Sequence, residues 1–347
     1  MPTLWFILVA FMLVVYVVLD GFDLGAGVIH LFVARNDRER RMILRAIGPV
    51  WDGNEVWIIA AGGTLFFTFP LLYASSFSGF YLPLIIVLWL LIVRGVSVEL
   101  RSRIPSPVWS SFWDGLFFIG SALLAIFFGA ALGNVMRGVP LHSDGYFFEA
   151  LWTDFNPYST DPGILDWYTI LIGLMALATL IMHGANYIAV KTTQELQIRS
   201  RHVARGAWVA TAVLTVLSTI ATFLIQHQIL ASFQARPWGV IFPLLAFIGL
   251  IGTFLFNLSG RDLPALFSSG AFIVGMLASS AFGLYPLVLP AVNPAYSLTI
   301  SNAAGSLYGQ TVGLVWWLIG IALAILYFVL TYRLFWGKIS EAELNAH

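Results

Sequence analysis

Nine apolar runs, each about as long as a bilayer is thick, decide what this chain is able to fold into. They lie at about 4–30, 54–73, 76–98, 112–135, 164–190, 204–226, 238–257, 264–288 and 308–336. A crossing needs roughly 20 apolar residues. Hydrocarbon offers no partner to a bare backbone N–H or C=O, so runs of this length read as helices. Only 10% of the 347 residues are charged, against roughly 25% in an average soluble protein, so the chain lacks the polar coat that water requires. The expected fold is all-α: a single integral membrane domain over 1–347, with about nine transmembrane helices packed as helical bundles. Kinks are expected at Pro83 and Pro243, because proline removes one donor from the helix ladder. No internal repeat is legible.

Basic residues orient the spans. All 17 lysines and arginines except Arg137 and Arg236 fall in one set of alternate loops and the C-terminal tail. That side reads as cytoplasmic, which puts the N-terminus outside and the C-terminus inside. The N-terminal segment has no basic stretch before its apolar run and no small-residue cleavage site after it, so it reads as a retained helix. Net charge is zero and cysteine is absent. No field favours nucleic acid, and disulfides, thiolate metal sites and cysteine-ligated clusters are excluded. The longest connection, about 136–163, lies outside and carries Asp144, Glu149, Asp154 and Asp161. It reads as a solvated cap or as a docking surface for another subunit.

Four acids need a reason to sit at membrane depth. Asp20 and Asp23 close the first run in Leu19-Asp20-Gly21-Phe22-Asp23-Leu24-Gly25, and Asp52 and Glu55 open the second. Residues three apart share a helix face, and Gly21 and Gly25 leave a flat strip for another helix backbone. The first helix ends where the second begins, so all four carboxyl groups are expected to converge at the inner rim of one hairpin. Burying a carboxylate there costs at least about 2.5–3.5 kcal/mol, so these groups should face protein or water. Two readings follow: a proton pathway, or an interfacial cluster that pairs with Arg45 or Arg94 or caps a helix start.

Gly21-Phe22-Asp23-Leu24-Gly25, then Arg35-Asn36-Asp37, then Trp51-Asp52-Gly53-Asn54-Glu55-Val56-Trp57 resembles subunit II of cytochrome bd-type quinol oxidases. Ser78-Gly79-Phe80-Tyr81, Arg94 and Arg101-Ser102 extend the resemblance, which is dense over 1–135. Beyond that it rests on His183-Gly184-Ala185, Gly283-Leu284-Tyr285-Pro286 and the basic tail after Trp336. The resemblance implies a subunit of a terminal oxidase in a bacterial or archaeal cytoplasmic membrane, which takes electrons from quinol and reduces dioxygen to water. It also implies that haem b and haem d belong to the partner, subunit I, and that this chain stabilises that partner and delivers cytoplasmic protons. Asp23 and Asp52 match the family's acidic positions on the proton route; Asp20, Glu55 and Arg94 join them by proximity. Small single-helix subunits and a structural quinone or lipid are further expected companions.

Two rival readings stand beside this one. An ion-coupled secondary transporter or channel would use the acids as coupling sites; a scaffold would use them only to hold the hairpin. Haem b takes two axial ligands at matching depth, which makes His30 and His183 the candidate pair within this chain. Otherwise His30 is interfacial and His183 an interhelical hydrogen bonder. His142, His202, His227 and His347 read as solvated. Trp5, Trp109, Trp113, Trp152, Trp167 and Trp238 read as an interfacial belt, and Trp51 and Trp57 as packing for the acidic motif.

Overall fold

The computed structural model describes residues 1–339; His347 lies outside the described residues. Twelve α-helices follow in order: α1 (Pro2–Val33), α2 (Asp37–Ile47), α3 (Trp51–Thr68), α4 (Pro70–Gly79), α5 (Tyr81–Leu100) and α6 (Pro107–Arg137). Then come α7 (Trp167–Lys191), α8 (Gln194–Ile225), α9 (His227–Ala235), α10 (Ile241–Leu258), α11 (Asp262–Leu284) and α12 (Leu307–Leu334). Two short antiparallel strands, β1 (Leu287–Leu289) and β2 (Leu298–Thr299), form a ribbon between the last two helices. Eight of the helices are long and apolar enough to cross a membrane, and α3 with α4 accounts for the remaining apolar run.

Prolines set the differences from the sequence reading. Pro70 divides the second run, ending α3 and opening α4 at its first position, where a missing N–H costs nothing. The third crossing is therefore α5, and the run read from residue 76 begins inside α4. Pro83 and Pro243 sit in the first turns of α5 and α10, so neither interrupts a helix interior. The Gly79 carbonyl, which Pro83 cannot serve, accepts from the Glu149 N–H at 3.4 Å. The eighth run stops at Leu284, ahead of Pro286, and continues as β1.

The helices form two four-membered groups. In one, α1, α3, α5 and α6 pack together; in the other, α7, α8, α10 and α11. The groups join where α1 and α6 meet α7, while α12 leans on α3. Gly25 explains the central contact. A β-carbon there would overlap the Leu180 carbonyl and crowd Gly184, so α1 and α7 approach backbone to backbone, as small residues permit in membrane helices.

Side-chain contacts gather the basic loops at one rim. Arg199 donates to Glu39, Arg201 to Asp262 and Lys338 to the Thr192 carbonyl. The opposite rim holds the ribbon, with Thr3 against Tyr285, Arg236 donating to the Tyr285 carbonyl and Val139 to Pro290. Trp152, Trp167 and Trp238 are exposed, as a belt requires, but Trp5 is fully buried and donates to the Gln310 carbonyl at 3.2 Å. It is a helix-packing residue, not part of the belt. In the loop between α6 and α7, Asp144, Asp154 and Asp161 are exposed and Glu149 is completely buried. That loop thus presents exposed acids over a sealed ionic base.

Candidate functional site

Asp20 and Asp23 lie on the buried face of α1 with no exposure at all. Arg94 from α5 grips Asp20 through two parallel hydrogen bonds, Nη1 to Oδ2 at 2.8 Å and Nη2 to Oδ1 at 2.6 Å. This is the bidentate geometry that a planar guanidinium offers a carboxylate. The same Nη2 lies 3.0 Å from Glu55 Oε1, and the Trp51 ring sits beneath the guanidinium, 6.0 Å from its centroid. Arg94, not Arg45, is the cation of this cluster.

Asp23 is held differently. Its Oδ2 accepts from Asn54 Nδ2 at 2.7 Å, while its Oδ1 is buried without a donor from the described residues. Asn54 Oδ1 in turn accepts from the Tyr332 hydroxyl of α12 at 3.1 Å. Two carboxyl groups, of Asp20 and Glu55, thus share one buried guanidinium, and Asp23 lies on the same face of α1 as Asp20, held by a neutral amide instead.

Asp52 does not join this convergence. It lies in the first turn of α3, exposed at the chain surface, one turn before the partly exposed Glu55. A spacing of three leaves the two side chains on one side of α3, but Glu55 reaches the buried Arg94 while Asp52, a turn earlier, stays exposed, and Asn54 looks inward. No side chain caps the start of α3, so the capping reading fails there.

A second ionic cluster lies nearer the basic rim. Asp114 of α6 accepts from Arg101 Nε at 2.6 Å and from Arg40 Nη1 at 2.9 Å, and Arg101 also reaches Asp37 at 2.7 Å. His30 Nδ1 donates to the Gly27 carbonyl at 2.6 Å, and its Nε2 is 3.6 Å from Asp114 Oδ1. His183 bonds through both nitrogens, to Ser269 Oγ at 2.7 Å and to the Val18 carbonyl at 2.9 Å. Haem ligation would require His183 to release one of these bonds, so the two histidines do not present a ready axial pair. His142, His202 and His227 are exposed.

Asp114 and Tyr332 escaped the sequence reading, and Asn54, quoted there within its motif, proves to be the partner of Asp23 and not a cap. Asp114 had a signal, since it stands inside the apolar run that opens near residue 112. The Tyr332 hydroxyl had none.

A family model described as cytochrome bd terminal oxidase subunit II matches residues 1–335. The chain belongs to this family. The match extends well past the N-terminal third that carries the densest motifs. Among curated relatives, a probable cytochrome oxidase subunit 2 of Haemophilus influenzae is 31% identical, with 99% of this chain and 97% of the relative covered. The cytochrome bd-I ubiquinol oxidase subunit 2 of Escherichia coli K12 is 30% identical over the same shares. The cytochrome bd ubiquinol oxidase subunit 2 of Bacillus subtilis is 31% identical, with 98% and 97% covered. The solved bd oxidase of Geobacillus thermodenitrificans superposes with a TM-score of 0.73 at 14% identity, covering 96% of this chain and 98% of that one; the fold is shared. The chain is therefore a multi-pass subunit of a terminal oxidase, an oxidoreductase complex, and the transporter reading falls away.

Proposed function

We propose that this chain is the haem-free subunit that stabilises the haem-bearing subunit I and delivers cytoplasmic protons to it. The observation that carries the reading is Asp23: a carboxyl group fully buried at membrane depth, with one oxygen held by a neutral amide and the other without a protein donor. Asp20 is occupied as the counter-ion of Arg94, which suits it to anchoring; Asp23 is suited to carrying. Asp52, exposed on the neighbouring helix, is the entrance, and Glu55 and Arg94 shape the local field between them.

In this reading the basic rim is cytoplasmic, the N-terminus and the loop between α6 and α7 lie outside, and the membrane is the bacterial inner membrane. Haem b and haem d in the partner carry electrons from quinol to dioxygen. Protons for water enter past Asp52 and Asp23, and quinol releases its own protons on the far side, so charge separates across the membrane without a pump. The exposed apolar sides of α3, α5 and α12 suit contact with subunit I and with any single-helix companion. An apolar cavity of about 470 Å³, lined among others by Tyr16, Leu24, Phe128 and Met276, suits a structural quinone or a lipid chain.

The test is oxygen consumption by the purified complex carrying Asp23→Asn or Asp52→Asn. Loss of turnover with normal haem content supports proton delivery. Loss of haem assigns the acids to assembly, and full activity leaves a scaffold whose acids are incidental.

A further inference from the structure

We infer that Asn54 and Tyr332 are positioning residues for Asp23, holding its Oδ2 so that Oδ1 alone takes up and releases the proton. This rests on the proton-delivery reading and adds two residues and one atom to it.

The hydrogen-bond chain has a fixed direction. Asn54 Nδ2 faces two acceptors, Asp23 Oδ2 at 2.7 Å and the Leu19 carbonyl at 3.4 Å. Asn54 Oδ1 faces a hydroxyl, that of Tyr332 at 3.1 Å. An amide has donors at one end and an acceptor at the other, so the reversed orientation would set its oxygen against a carboxylate and a carbonyl. The carboxylate and the Leu19 carbonyl, which only accept, therefore settle which way the amide points; the Tyr332 hydroxyl donates to the oxygen left over and holds it there, and the amide settles which carboxyl oxygen is occupied. Asn54 has no exposure, and Tyr332 packs against the core beside α1 and α2, so neither group is free to swing away.

Neither residue conducts. A neutral amide does not pass a proton without breaking its own resonance, so a proton reaching Tyr332 has no onward route through Asn54. The carried proton forms an O–H bond at Asp23 Oδ1 and breaks it again on leaving, with no change in electron count. Orientation is what the pair supplies, and misplacement of a reacting group by about 1 Å costs up to roughly 10²-fold in rate.

The experiment uses the complete oxidase complex with Tyr332→Phe, Asn54→Leu and Asp23→Asn. Haem content, quinol KM, kcat and the infrared carboxyl C=O band that Asp23→Asn removes are measured for each. Tyr332→Phe is expected to lower kcat about tenfold and Asn54→Leu by up to about 10²-fold. KM and haem content should stay at wild-type values, and the Asp23 band should shift in both variants. A merely architectural role would lower haem content and leave that band in place; this outcome, or wild-type kcat with an unmoved band in Tyr332→Phe, overturns the inference. Should Asp23→Asn itself retain full turnover, the proton-delivery reading fails and the inference with it. An inactive Asp23→Asn beside an unaffected Tyr332→Phe removes only the positioning role.

Discussion

Arg94 and Asp20 face each other across α5 and α1 in a two-pronged ion pair from which water is excluded, with side chains 1% and 0% exposed. Removing one member of a buried pair strands the other charge, at about 3–5 kcal/mol. Arg94→Leu is therefore expected to lower the thermal midpoint of the complex and its haem retention. Asp20→Leu should do so to a smaller extent, because Glu55 Oε1 remains 3.0 Å from Arg94 Nη2. The double variant should lose less than the sum of the two, because neither charge is then left alone. Thermal melts of the four complexes check this.

The close approach of α1 and α7 makes Gly25 intolerant of a side chain. Gly25→Ala places a methyl group against backbone atoms of Leu180 and Gly184, which cannot rotate aside as a side chain would. Overpacking of this kind costs roughly 1–3 kcal/mol or more. Gly115→Ala and Gly206→Ala are the controls, since a β-carbon at either meets nothing within 4 Å. The yield of assembled complex should fall for the first variant and hold for the other two.

Glu149 predicts a pH dependence at the rim opposite the basic loops. Arg137 serves two carboxylates there, donating to Glu149 at 2.8 Å and, in a very short contact, to Asp166. Burial pushes the Glu149 carboxyl up to about 8; Asp166 and Asp161 add to the rise and Arg137 opposes it. A carboxyl raised in the folded state binds its proton more tightly there than in the unfolded chain. Its stabilising contribution is complete below the ordinary value of 4.5, shrinks as pH climbs and is lost beyond about 8. Proteolysis of the 138–166 loop should accelerate between pH 5 and 9 in the wild type, whereas Glu149→Gln should flatten that dependence.

His183 joins α7 to α1 and α11 through its two ring nitrogens. Replacement by alanine leaves the Val18 carbonyl without this donor, a loss of about 1–3 kcal/mol for a buried group. The His183→Ala complex is expected to melt earlier and to keep its b- and d-type absorption bands per mole of complex. Disappearance of a b-type band would instead identify an axial ligand.

The crossings were legible because their lengths match the bilayer and nothing else explains runs so apolar. Their ends were not, since a proline's effect depends on where the helix starts: Pro70 divides a run, while Pro83 sits harmlessly in a first turn. Asp20, Asp23, Glu55 and Arg94 announced themselves as charges where charge is costly. Asp52 shared their spacing, yet spacing says which residues share a face and not which way that face turns. Glu149 was hidden by its place in a loop full of solvated acids, although the isolated Arg137 of that side marked where an acid would be drawn in. Tyr332 was out of reach, because a hydroxyl in an apolar helix shows no pattern until its distant neighbour is known.

Helix α12 buries Gln310 alone among its side chains and rests mainly on α3. Tyr332, near its end, meets Asn54 across 278 positions of sequence. A chain cut before α12 would thus keep the carboxyl groups of α1 and α3 yet lose the hydroxyl that donates to Asn54 Oδ1, so the two ends of the sequence are tied together at a single buried amide.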